Sequence, residues 1–175
     1  MNKFEKKYDN IRKILLDTLE QILIHRNIDS ISITDICSYS GIARSTFYNH
    51  YLNISELYDD LLKDKFNLFI KNITSKSKTE FEKTVIFLEY LKSNSHIIKI
   101  FLLNSSKEHI SKFFNLFKDY ILANDFTIDN DDMLLSSFYC GGYLSVLIDW
   151  YNSNFLASTN YIANIIIDLK HKITP

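Results

Sequence analysis

Three glycines and one proline, Pro175, are all the strong backbone breakers this 175-residue chain contains. Its turns must be made by Asn, Ser and Asp, and a chain so poor in breakers is most simply all-helical. It is also 46% hydrophobic, enough to bury a substantial core as one domain or two small ones. Glycine-rich loops that cradle phosphates or dinucleotides are excluded for want of glycine. The near-neutral charge argues against a strongly basic nucleic-acid binder. The net charge is −1, with 12 Lys+Arg against 10 Asp+Glu in residues 1–78 and 8 against 11 in residues 79–175. The basic bias toward the N-terminal part has the direction expected of a nucleic-acid binder, but it is small.

The most informative stretch is Ser32 to Tyr51, SITDICSYSGIARSTFYNHY. Ser32 followed three residues later by Asp35 is a capping-box start, with Asp in place of the commoner Glu or Gln. Ile33, Ile36 and Cys37 then share a helical face. Gly41 ends that helix where the backbone turns left-handed, because it has no Cβ to clash. Ile42 plugs the turn. A second helix, Arg44 to Tyr51, turns Phe47 and Tyr51 inward and leaves Arg44, Ser45, Thr46, Tyr48, Asn49 and His50 on its other faces. This is a helix-turn-helix whose second helix is rich in groups able to contact phosphate or base edges. Arg44 suits phosphate or guanine O6/N7, and Asn49 suits adenine or phosphate. Ser45 and Thr46 are small enough to let the helix approach a groove, and Thr34 is a further phosphate candidate.

The same stretch resembles the DNA-binding domain of the TetR family of bacterial transcriptional regulators. The resemblance rests on Asp35-Ile36-Cys37, Gly41 and Thr46-Phe47-Tyr48-Asn49-His50-Tyr51. It covers the first third of the chain at motif level, with helix layout and length matching beyond. Two positions depart from the family pattern: Ile54 replaces a frequent lysine, and Ala43 stands where Ser or Thr often caps. The resemblance implies that Tyr48 and His50 bind the phosphate backbone. It also implies a homodimer, a double-stranded DNA operator and a small-molecule effector.

Along the chain, residues 1–8 read as a polar, basic lead-in. A first amphipathic helix follows, carrying Ile11, Ile14, Leu15, Leu19, Ile22 and Leu23 and ending near His25 to Asn27. Asn53 with Glu56 starts another, whose stripe from Ile54 to Ile73 continues for about five turns at ~3.6 residues per turn. The expected domains are a three-helix reader over 1–53 and a regulatory and dimerisation bundle over 54–175. Thr74 to Thr79 is the best loop candidate. Helices are then expected from Thr79, over Asn94 to Leu103, over Lys107 to Ala123, over Met133 to Tyr151 and over Leu156 to Ile173, with an acidic loop from Asn124 to Asp132.

The last two helices are apolar over more than one face, so they need burial on more than one side. The resemblance assigns Tyr143, Val146, Leu147, Trp150, Ile162, Ile165, Ile166 and Leu169 to a four-helix dimer interface. Gly141 and Gly142 in mid-helix cost about 1 kcal/mol each relative to Ala, which close helix approach or ligand access would offset. A ligand cavity could be lined by Phe66, Phe69, Phe87, Tyr90, Phe101, Phe113, Phe117, Phe138 and Tyr139, although an aromatic stripe at helical spacing is also what a plain core looks like.

Catalysis finds no support. His25, His50, His96, His109 and His171 lack metal spacing, Cys37 and Cys140 form no CxxC or Cys/His pattern, and no Ser or Cys sits in a nucleophile turn. Asp131 and Asp132 read as solvated loop acids. No cofactor, metal or enzymatic activity is expected. No export signal or membrane span is apparent, the apolar window Met133 to Trp150 being interrupted by Ser, Gly and Asp; a cytoplasmic protein is expected. The reading is therefore an all-α DNA-binding regulator, by default a repressor, held on or released from a palindromic operator by a small effector. Control by a protein partner, or a helical dimerisation module or enzyme that does not bind DNA, stand as the alternatives.

Overall fold

A computed structural model describes residues 3–74, 79–124 and 133–173, and every described element is helical. Packing divides the chain into two units, one of residues 1–68 with 104–106, the other of residues 69–103 with 107–175.

The first unit is built on α1 (Lys3–Leu23), whose Leu15, Leu16, Leu19, Ile22 and Leu23 recur at helical spacing and are buried. The helix takes in Lys3 to Tyr8, which the sequence reads as a lead-in. Nothing in KFEKKY breaks a helix, and straight-chain Lys and Glu are good helix formers. A single 3₁₀ turn, Ile28–Ser30, follows, capped by Asn27, whose side chain accepts from the Asp29 amide at 3.0 Å. Next come α2 (Ile33–Ser40), α3 (Arg44–Tyr48) and α4 (Ile54–Thr74). The first part of α4 buries Leu57, Tyr58, Leu61, Leu62 and Phe66. As the Asn53/Glu56 pattern predicts, the Glu56 amide donates to Asn53 Oδ1 at 2.9 Å, and Glu56 Oε2 accepts from the Leu52 amide at 2.6 Å.

Asn104 to Ser106 also belong to this unit. The Asn104 carbonyl accepts from the Ile28 amide (3.2 Å), its side-chain amide donates to the Leu23 carbonyl (2.8 Å), and Ser105 Oγ lies 2.5 Å from the buried Tyr58 hydroxyl. The first two bonds satisfy backbone groups at and just after the end of α1.

The second unit holds α5 (Glu80–Ser93), the short α6 (His96–Ile98) running into a wider π-helical turn (Lys99–Leu103), α7 (Lys107–Asn124), α8 (Met133–Asn152) and α9 (Thr159–Ile173). Thr79 and Glu82 form a reciprocal capping box at the start of α5. Helix α5 packs on α9, α7 on α8, and α8 on α9. Lys170 on α9, almost fully buried, is paired with Glu80, and Thr159 donates to Glu89 at 2.5 Å. Helix α9 begins at Thr159, three residues later than the apolar pattern suggests. Asn154 and Phe155 are left-handed (φ 56° and 57°), and the Phe155 ring stands edge-on to Trp150, centroids 4.8 Å apart. Most of the expected loops at 74–79 and 124–132, with Asp131 and Asp132, lie outside the described residues.

Candidate nucleic-acid interface

The cap that opens α2 is formed as its sequence demands. The Asp35 amide donates to Ser32 Oγ at 3.1 Å, and Asp35 Oδ2 accepts from the Ser32 amide at 2.8 Å and the Ser32 hydroxyl at 2.7 Å. These bonds from Ser32, with help from Arg26 at 3.4 Å, lower the Asp35 pKa to about 2. Gly41 closes α2 at φ 69°, ψ 13°, a left-handed cap. Ala43 precedes α3 without a side-chain cap, as its methyl group requires.

Helix α3 is five residues long and ends at Tyr48, earlier than the expected Tyr51. Beyond it the chain tightens: the His50 and Tyr51 amides both donate to the Phe47 carbonyl, at 2.8 and 2.9 Å. Phe47 is fully buried and Tyr51 nearly so. Arg44, Ser45, Tyr48 and Asn49 are exposed, and Thr46 is half-buried. Thr34, in the first turn of α2, is exposed as well. One short helix thus turns its ring inward and its hydrogen-bonding groups outward. His50 differs from its neighbours. Its ring stacks on Tyr8 of α1, centroids 4.0 Å apart and planes 24° from parallel. Its Nδ1 is enclosed without a hydrogen-bond partner among the described residues, and burial lowers its proton affinity, favouring the neutral ring.

Behind α3 lies an ionic cluster that joins residues far apart in sequence. Asp60 on α4 receives Arg12 Nε at 2.7 Å and Nη2 at 2.8 Å, and its Oδ2 also accepts from the Tyr51 hydroxyl at 2.6 Å. Arg12 reaches Asp64 as well, at 3.3 Å. Burial alone would raise the Asp60 pKa, but the bonds from Arg12 and Tyr51 outweigh it and hold the carboxyl below its ordinary value. Nearby, Glu20 and Lys65 pair at 2.6 Å, mostly out of solvent.

In the second unit, Phe87, Phe101, Phe113 and Phe117 of the proposed cavity residues join Tyr143 in one aromatic cluster, with centroid separations of 5.2–6.3 Å. Tyr139 is buried beside it and Tyr90 is half-buried. Phe66 is buried in the first unit, and the side chain of Phe69 lies outside the described residues. Phe138 is 68% exposed and stands outside that cluster. Of the residues assigned to a partner interface, Leu147, Trp150, Ile162 and Ile166 are buried within the chain, and the Trp150 indole donates to the Ala157 carbonyl at 2.8 Å. Tyr143 is buried too, Val146 and Ile165 are half-buried, and Leu169 is exposed. The outer face of α8 carries Leu134, Phe138, Gly141, Gly142 and Ser145, while α9 adds Tyr161 and Leu169. An apolar cleft of about 140 Å³, lined by Phe138, Tyr139, Gly142, Tyr143, Val146, Ile166 and Leu169, opens between the two helices. Periodicity could not separate inner from outer faces here, because both are apolar.

Among the described residues, no group of His, Cys, Asp and Glu could hold a metal ion, and no helix is long and apolar enough to cross a membrane. Cys37 is half-buried and Cys140 fully buried, and burial pushes both thiols up, Cys140 to about 11.

A capped helix, a left-handed glycine turn and a second helix showing polar groups, in an all-helical chain, define a helix-turn-helix regulator fold. Residues 78–172 match a TetR family model described as the transcriptional regulator C-terminal region. The chain belongs to the TetR family of transcriptional regulators. No curated protein sequence matches it. Among solved structures, it is similar to a TetR transcriptional regulator from Streptococcus agalactiae 2603V, with a TM-score of 0.76 and 17% identity over 95% of this chain and 96% of that one. The fatty acid degradation regulator FadR from Bacillus halodurans gives 0.67 and 16%, over 91% and 93% of the two chains. FadR from Bacillus subtilis, solved in complex with stearoyl-CoA, gives 0.64 and 16%, over 90% and 96%. At these identities the likeness is one of fold.

Proposed function

We propose that this protein is a sequence-specific, double-stranded DNA-binding regulator, acting as a homodimer in the cytoplasm and repressing the promoters it occupies. The observation that carries this reading is α3: Phe47 is wholly buried, while Arg44, Ser45, Tyr48 and Asn49 stand outward on a helix short enough to sit in a major groove. Thr46 and His50 flank that surface, and Thr34 adds a group at the α2 end. A second copy is supported by the apolar outer face of α8 and α9, with Phe138 and Leu169 at the cleft between them. Two readers held by such an interface would meet successive major grooves about 34–36 Å apart on a palindromic site.

Control by a small apolar effector is supported by the aromatic cluster of the second unit, which a ligand would have to part, and by the FadR complex as a fold relative. A ligand in that unit would be felt by the reader through α4, continuous from Ile54 to Thr74. Expelling the operator would then be repression relieved. The chain is proposed to need no cofactor or metal and to catalyse nothing.

The test is selection of bound sequences from a random DNA pool, followed by salt titration of the best duplex. Affinity should fall steeply with salt as counterions are released. Arg44→Ala should relax sequence preference at one position or reduce the salt slope by about 1. No enrichment of any sequence, with retention indifferent to salt, would refute the reading.

A further inference from the structure

Helix α3 is barely more than one turn long, too short to hold its own conformation, since helices below about 12–15 residues are marginal in water. Something in the surrounding unit must therefore set its pose. Phe47 anchors it from within, its ring 6.0 Å from that of Tyr51. A buried ring alone leaves rotation about the anchor. Besides the stack of His50 on Tyr8, a further restraint is the Tyr51 hydroxyl, 2.6 Å from Asp60 Oδ2.

That carboxylate cannot swing to follow Tyr51. Arg12 grips both its oxygens in a fork, Nε on Oδ2 at 2.7 Å and Nη2 on Oδ1 at 2.8 Å. Arg12 is itself braced by Asp64. We propose that Asp60 is the positioning residue of the DNA reader: clamped by Arg12 between α1 and α4, it holds Tyr51 by its hydroxyl and so fixes the angle at which α3 is presented. The proposal rests on the DNA-binding reading. It also separates two parts of Tyr51, a ring that fills the core and a hydroxyl that sets direction. Phenylalanine would supply the first without the second.

The discriminating variant is Tyr51→Phe, which leaves the Arg12–Asp60 pair and the core ring in place. Loss of one bond to a charged acceptor should weaken binding to the selected duplex about tenfold. Binding to unrelated duplex should be unchanged, because phosphate contacts tolerate a looser angle. Asp60→Asn should lose specificity to a similar degree, with a lower melting temperature as well. A purely structural role predicts the opposite for Tyr51→Phe: either no change, or equal losses on both duplexes in step with the unfolded fraction. Either result overturns the proposal. Amide exchange on the free proteins gives an answer independent of DNA. Residues 44–51 should exchange faster in Tyr51→Phe while α1 is unaffected, and equal rates would overturn the proposal. If the wild-type chain retains no duplex, the DNA reading falls alone, and exchange still decides whether Asp60 holds α3.

Discussion

Gly142→Ala separates what α8 needs for itself from what it needs for a partner. A Cβ built at Gly142 meets nothing within 4 Å, and one at Gly141 meets only Phe114 Cε2, at 4.0 Å, an ordinary contact. Within one chain nothing requires glycine at either position, and alanine should be preferred by about 0.8–1.0 kcal/mol in a helix interior. For a chain of this size that is a rise of roughly 2–4 °C in melting temperature. The proposed dimer reverses the sign. Gly142 lines the apolar cleft between Phe138 and Leu169, on the face offered to a second copy. A methyl group forced into a close helix–helix approach costs about 1–3 kcal/mol, or roughly fivefold to 150-fold in the dissociation constant. Sedimentation equilibrium across a dilution series measures the association, and melting at the same concentrations measures the fold. Expected is a variant that melts higher where it is dilute and monomeric, yet dissociates more readily than the wild type. A variant that melts higher at every concentration with an unchanged dissociation constant would show that no partner helix approaches Gly142.

Two other substitutions probe the reader. Ser32→Ala removes the α2 cap and should cost about 1 kcal/mol in urea unfolding. It should also change the acid response: the Asp35 pKa falls from 3.8 to about 2 on folding, so this contribution is complete above about pH 4 and lost as pH drops through 2. Without the Ser32 hydroxyl the Asp35 pKa should be lowered less, so a smaller contribution is lost and the loss is complete at a higher pH, visible as an acid transition shifted upward in circular dichroism. Gly41→Ala forces a side chain into a backbone at φ 69° and should destabilise by about 1–2 kcal/mol, read as a lower urea midpoint. Since nothing stands within 4 Å of that Cβ, a larger loss would contradict a purely backbone origin.

The parts legible in the sequence are those decided by near neighbours. Ser32 with Asp35, Gly41 at the turn and Phe47 facing inward each follow from chemistry within a few residues, and all appear in the structure as read. Thr79 with Glu82 forms the same kind of cap at the start of α5, where the sequence is read only as a helix start. The Arg12–Asp60–Tyr51 cluster could not be read, because its members lie 48 and 9 positions apart and a charged pair on two amphipathic helices looks like solvated surface until the helices meet. The α8 and α9 faces were illegible for a different reason. Where Leu147 and Trp150 point inward while Leu134 and Phe138 point outward, hydrophobicity carries no directional information. The stack of Tyr8 on His50 likewise depended on α1 extending back to Lys3.

The three residues Asn104 to Ser106 make the reader a discontinuous object. A fragment ending at residue 74 would strand the Leu23 carbonyl and the Ile28 amide and leave the Tyr58 hydroxyl without Ser105. Grafting the first seventy-odd residues onto another body would thus transplant an incomplete fold, whereas a graft that also carries a matching Asn-Ser segment would not. Swapping such heads between relatives has to respect that borrowed tripeptide.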